Sequence, residues 1–94
     1  MRVKWLRAAL ANLDAEAEYI AHDKPPAAAR IVTTIQRTVE NLKRYPAIGR
    51  PGRVMGTREL VVPGTPYIIP YRVRQDTVEV LRVFHGAHGW PKRS

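Results

Sequence analysis

The spacing of apolar residues changes twice along this chain, and that double change limits the fold more than any other feature. Over residues 2–5, RVKW, Val3 and Trp5 alternate with Arg2 and Lys4, the period of a half-buried strand. From Leu6 the steps become 4, 3, 4 and 3, through Leu10, Leu13, Ala17 and Ile20, which is one stripe of an amphipathic helix. Asp14, Glu16 and Glu18 lie off that stripe. HDKPP ends the helix, and Asp23 or Lys24 precedes prolines suited to the first turn of another. A second stripe runs through Ala27 or Ala28, Ile31, Ile35, Val39 and Leu42, and stops at Pro46. Two amphipathic helices joined by so short a break predict an antiparallel hairpin.

Beyond a loop rich in glycine and proline at 46–57, the period returns to two. RELVV (58–62), YIIPYRV (67–73) and TVEVLRVFH (77–85) read as strands linked by turns at PGTP and RQD. Tyr67, Ile69, Tyr71 and Val73 share one face of the second strand. The third is apolar on both faces, as expected of an inner strand. Pro70 has no N–H for a ladder, so irregular pairing is expected there. The order β-α-α-β-β-β predicts an α+β fold: a helical hairpin packed on an antiparallel sheet, with the first strand at the edge of a meander.

Ninety-four residues make a single domain over 1–94. A chain this short hides only about 60–65% of its unfolded surface, so one modest core is expected. With no cysteine, neither a disulfide nor a thiolate metal site supports it, which fits a reducing cytoplasm. No apolar run approaches the roughly 20 residues of a membrane helix, and no signal-peptide core opens the chain. Lys and Arg number 16 against 8 Asp and Glu, a net charge of +8. Residues 1–23 are net −1, residues 24–44 net +4 and residues 45–94 net +5. Such a surplus suggests a polyanionic or acidic partner, with plain solubility as the alternative.

GTREL, PYIIPYRV and VEVLRVFHGAHGWP, spaced as they are behind a strand and a helical hairpin, resemble the RelE/ParE superfamily of type II toxin–antitoxin toxins. The resemblance covers nearly the whole chain. It implies a bacterial growth-arresting toxin held inactive by a cognate acidic antitoxin, with no cofactor and no metal. Two targets are implied by different members: DNA gyrase for ParE-like toxins, and ribosome-bound mRNA, cut without a metal, for RelE- and YoeB-like ones.

RNA cleavage needs a base, cations on the phosphate and an acid for the leaving oxygen. Arg58, Arg72 and Arg82 lie on three successive predicted strands and are expected to converge on one face. His85 matches the C-terminal histidine of YoeB-like nucleases. These four are the catalytic candidates on the nuclease reading. However, the nuclease pattern has an arginine just after the first aromatic of the YIIPYRV strand, where this chain has Ile68. Loss of that cation forfeits about 3–4 kcal/mol of transition-state stabilisation, by analogy with an oxyanion donor. The ParE-like reading is therefore the favoured one, with the ribosome-dependent nuclease as its alternative. A non-toxic basic nucleic-acid-binding protein is the third reading, for which the chain shows no recognition helix because both helices spend their apolar faces on the core. Antitoxin- or target-contacting candidates are Arg50, Arg53, Arg58, Arg72, Arg74 and Trp90. Structural alternatives stand beside each: His85 as a strand cap, Arg82 paired with Glu59 or Glu79, and Trp90 packed on the sheet as an anchor. His85 and His88 lack further ligands at metal spacing.

Overall fold

The computed structural model of the protein describes residues 1–86. Strand β1 (Arg2–Trp5) leads into helix α1 (Arg7–Asp23), and Lys24 alone separates it from α2 (Pro25–Glu40). The hinge is economical. The Lys24 N–H closes α1 on the Ile20 carbonyl at 2.8 Å, while its own carbonyl accepts from Ala28 to open α2 at 3.1 Å. Pro25 takes the first helical position, where its missing N–H costs nothing. A 3₁₀ turn, Asn41–Lys43, extends α2 and buries Leu42.

The remaining strands are β2 (Arg50–Pro51), β3 (Arg58–Val61), β4 (Tyr67–Arg74), β5 (Thr77–Val80) and β6 (Phe84–His85). They form one sheet in the order β1-β5-β4-β3-β2, with β6 pairing onto β4. β1 does sit at the meander's edge, but it pairs β5 in parallel, so the sheet is mixed rather than antiparallel throughout. β2, two residues inside the expected loop, extends the other side.

The inner face of the sheet carries Leu60, Tyr67, Ile69, Tyr71, Val78 and Val80 against Ala9, Leu13, Ile35, Val39 and Leu42. On α1 the inward stripe keeps Leu13 and Ile20 of the expected one but takes Ala9 in place of Leu10. Ala9 is fully buried and Leu10 is 46% exposed. The stripe through Ala9 and Leu13 continues at Glu16 and Ile20, so Glu16 turns toward the sheet, where it accepts a hydrogen bond from Tyr67.

The expected strand 77–85 is broken by a bulge. Tyr71 pairs with Val80, yet Ile68 pairs with Phe84. Two residues, Ile69 and Pro70, thus oppose three, Leu81, Arg82 and Val83. The cause is Pro70. Its carbonyl accepts from the Leu81 N–H at 2.9 Å, but it has no N–H to return. The Leu81 carbonyl is bonded instead by Arg82 Nη1 at 2.7 Å. The Val83 N–H goes to Asn12 Oδ1 on α1 at 3.1 Å. The extra residue reverses the pleat. Val78 and Val80 point to the core, and without the bulge Arg82 would follow them; with it, Val83 is buried and Arg82 is exposed.

Candidate functional site: the outer sheet face

Directly paired residues share a face, so the register sorts the candidates. One outer row runs Arg2–Thr77–Arg74 across β1, β5 and β4, and the next runs Lys4–Glu79–Arg72. Beyond them lie Arg50–Glu59–Pro70 and the apolar row Val61–Ile68–Phe84. Seven cations belong to this face: Arg2, Lys4, Arg50, Arg53, Arg72, Arg74 and Arg82. They face two carboxylates, Glu59 and Glu79.

Both carboxylates are held. Arg72 Nε lies 2.6 Å from Glu79 Oε1. That hydrogen bond, together with the charges of Arg72, Arg74 and Lys4, holds the Glu79 carboxyl below the ordinary range against a partial loss of hydration. Glu59, 2% exposed, is the one buried charged residue among those described. Arg50 Nη2 reaches its Oε1 at 3.2 Å, and the Arg53 backbone N–H donates to Oε2 at 3.1 Å. Arg53 also carries its guanidinium 5.8 Å from the Phe84 ring centroid, a cation–π contact. Glu59 anchors Arg50 and Arg53, which both stay about half exposed.

The loop that delivers Arg50 is fixed from the inner side. The Tyr71 hydroxyl donates to the Pro46 carbonyl at 2.7 Å and accepts from the Gly49 N–H at 2.9 Å. Burial pushes the Tyr71 phenol up, which keeps its proton in place. A Cβ at Gly49 would stand 2.7 Å from the Tyr71 ring and hydroxyl, so the position needs glycine.

The expected convergence of Arg58, Arg72 and Arg82 does not occur. Arg58 pairs with Tyr71 on the inner side of the pleat and donates to the Gly49 carbonyl at 2.8 Å, while Arg72 and Arg82 belong to the outer face. His85 pairs with Tyr67, also inward, and their rings meet edge-on at 5.7 Å. It is thus parted from Arg72 by the sheet itself. Glu79 and Glu59, which the sequence offered as partners for Arg82, are held by Arg72 and by Arg50 with Arg53. His88 and Trp90 lie outside the described residues. Arg2 and Lys4 were not among the candidates, although their alternation with Val3 and Trp5 already marked them as a polar strand face.

A face of this kind grips anions. Arginine forks suit carboxylates and phosphates, and the half-buried Ile68 and Phe84 lie beside them. The family model described as the ParE toxin of the type II toxin–antitoxin system parDE matches residues 3–90. The chain belongs to the ParE toxin family. A toxin named RelE2 from Caulobacter vibrioides is 35% identical over 86 residues, covering 92% of this chain and 96% of that one. The Sinorhizobium fredii protein Y4kP is 50% identical over 91 residues, with 97% and 94% covered. Among solved structures, a chain of the chromosomal ParDE system from P. aeruginosa superposes with a TM-score of 0.83 at 32% identity, covering 90% of this chain and 95% of the other. A chain of the RelBE2 toxin–antitoxin complex from Mycobacterium tuberculosis gives 0.64 at 30%, covering 89% and 95%. This ParE-family chain is the toxin of a type II toxin–antitoxin system. Among its described residues, no helix is long and apolar enough to cross a membrane.

Proposed function

We propose that this toxin arrests growth by binding DNA gyrase in the cytoplasm rather than by cutting RNA, and that its antitoxin neutralises it by laying an acidic segment over the outer sheet face. One observation carries the reading. Arg50, Arg72 and Arg74 lie on one side of the sheet and His85, the candidate for proton transfer, lies on the other, where the one candidate cation, Arg58, is bonded to the Gly49 carbonyl. Phosphodiester cleavage needs both within reach of one ribose. Glu79 is a poor substitute base, since the Arg72 hydrogen bond lowers its affinity for a proton. What remains is a binding surface: Arg50, Arg53, Arg72, Arg74 and Arg82, with Arg2 and Lys4 beside them.

The ribosome-dependent endonuclease is the second reading, favoured by the resemblance to RelE2 and to the RelBE2 toxin. Induction without antitoxin separates the two. The gyrase reading expects filamentation, a DNA-damage response and loss of supercoiling by purified gyrase, with His85→Gln as toxic as the parent. Rapid arrest of translation with cut transcripts, relieved by His85→Gln, would overturn it.

A further inference from the structure

A cavity of about 530 Å³ opens between α1, Ile31 of α2 and the start of β4. Ala15, Ile20, Ile31 and Pro66 make its walls apolar, and Tyr19, 80% exposed, stands at its rim. Its polar lining is Glu16, Tyr67 and His85: the Tyr67 hydroxyl donates to Glu16 Oε1 at 2.8 Å, and the His85 ring meets that of Tyr67 edge-on. Burial and the Glu16 carboxylate push the Tyr67 phenol up, so that proton stays committed. Glu16 therefore retains free acceptor capacity: an ionised carboxylate offers about four lone-pair sites, and Tyr67 fills one. The pocket asks for a charged donor on an aliphatic stem.

We infer that this cavity receives a lysine or arginine side chain carried on an amphipathic helix of the antitoxin. The inference rests on the antitoxin reading above and deepens it. A lysine or arginine stem matches the apolar walls while its head reaches the carboxylate. One side chain does not fill 530 Å³, and apolar neighbours three or four residues away on the same helix face occupy the rest against Tyr19 and Ile31. Charge complementarity sets the sign. Residues 1–23 are the one net-negative segment of a +8 chain, so the acidic part of the antitoxin is repelled here and drawn to the sheet face. The antitoxin is thus bipolar: acidic where it crosses the sheet, basic where it meets α1.

The test titrates the antitoxin of the same operon against full-length toxin variants by calorimetry. Glu16→Gln, whose amide oxygen still accepts from Tyr67, is expected to bind about tenfold more weakly, the effect of one partly desolvated charge pair. Glu16→Lys should lose about a hundredfold. Each antitoxin Lys or Arg is then replaced by Gln and by Glu. One of these positions should show no further loss as Gln against Glu16→Gln, and its Glu form should regain affinity for Glu16→Lys. If Glu16→Lys does not fold, the Gln cycle alone decides. Equal affinity of Glu16→Gln and the parent, or no antitoxin base coupled to position 16, would overturn the inference and leave the antitoxin reading standing. Loss of the Glu16 effect in a Lys92→Gln, Arg93→Gln toxin would do the same, by making the chain's own cations the occupants. A parent toxin that the antitoxin does not bind would overturn both.

Discussion

Tyr71 shows how one buried side chain positions a sheet face it does not belong to. Its hydroxyl ties Pro46 and Gly49 into place, and Arg50 follows directly in the chain. Tyr71→Phe leaves the buried Gly49 N–H without its acceptor, which costs about 1–3 kcal/mol. In a domain of this size the melting temperature should fall by about 4–8 °C for each kcal/mol, measured by thermal denaturation. Gly49→Ala should destabilise at least as much, because the new methyl meets the tyrosine ring. On the other side of the sheet, the Arg72–Glu79 pair gives a pH signature. The folded-state carboxyl of Glu79 is depressed, so its contribution is present above the unfolded value near 4.5 and is lost as pH falls through the folded one. Arg72→Gln removes the largest cause of that depression. The loss of stability between pH 7 and pH 3, followed by urea unfolding, should therefore be smaller in the variant than in the parent.

The bulge after β5 is the element that decides where the arginine of an otherwise apolar run can go. Its extra N–H is held by Asn12 from α1, a contact between residues 71 positions apart. Asn12→Ala leaves the Val83 N–H without a protein acceptor and should cost about 1–2 kcal/mol, whereas Asn12→Asp, which keeps an oxygen, should cost less; denaturant titration measures both. Little of this was legible in the sequence. The two helical stripes and the alternating strands follow from apolar spacing, which is local and survives packing. Pro70 did mark the place where pairing becomes irregular, because a missing N–H is a local fact. The number of residues opposing it is not local. That count, set by β4 and β6 together, placed Arg82 outward. The parallel docking of β1 on β5 is likewise fixed by tertiary contact over more than seventy residues. The exchange of Leu10 for Ala9 on the α1 stripe, with Glu16 turned inward, depends on how the helix is rolled between α2 and the sheet. Arg58 and Arg72 were assigned a common face because each lay on a strand. The hairpin register decides otherwise, since it pairs Arg58 with Tyr71.

At the scale of the whole molecule, charge is segregated rather than spread. The outer sheet face gathers seven cations around two occupied carboxylates, while α1 carries Asp14, Glu16, Glu18 and Asp23. On the proposed reading an antitoxin segment crossing the outer face gains its attraction from many half-exposed arginines, none of them deeply buried, so its affinity should be sensitive to ionic strength. Reversing two adjacent members, Arg72→Glu with Arg74→Glu, should weaken antitoxin binding about ten- to a hundredfold at low salt. The difference from the parent should narrow as salt is raised, because screening removes what the parent had to lose. The paired variant Arg37→Glu with Arg44→Glu, at the end of α2 and just past the 3₁₀ turn, makes the same change of four in net charge and serves as the control for net charge alone. If it weakens binding as much as the double reversal, the interaction follows the +8 total rather than this face, and the arrangement of the outer rows has no bearing on recognition. Surface plasmon resonance across a salt series distinguishes the outcomes: a rim effect appears mainly in the association rate, and the control should leave that rate nearly unchanged.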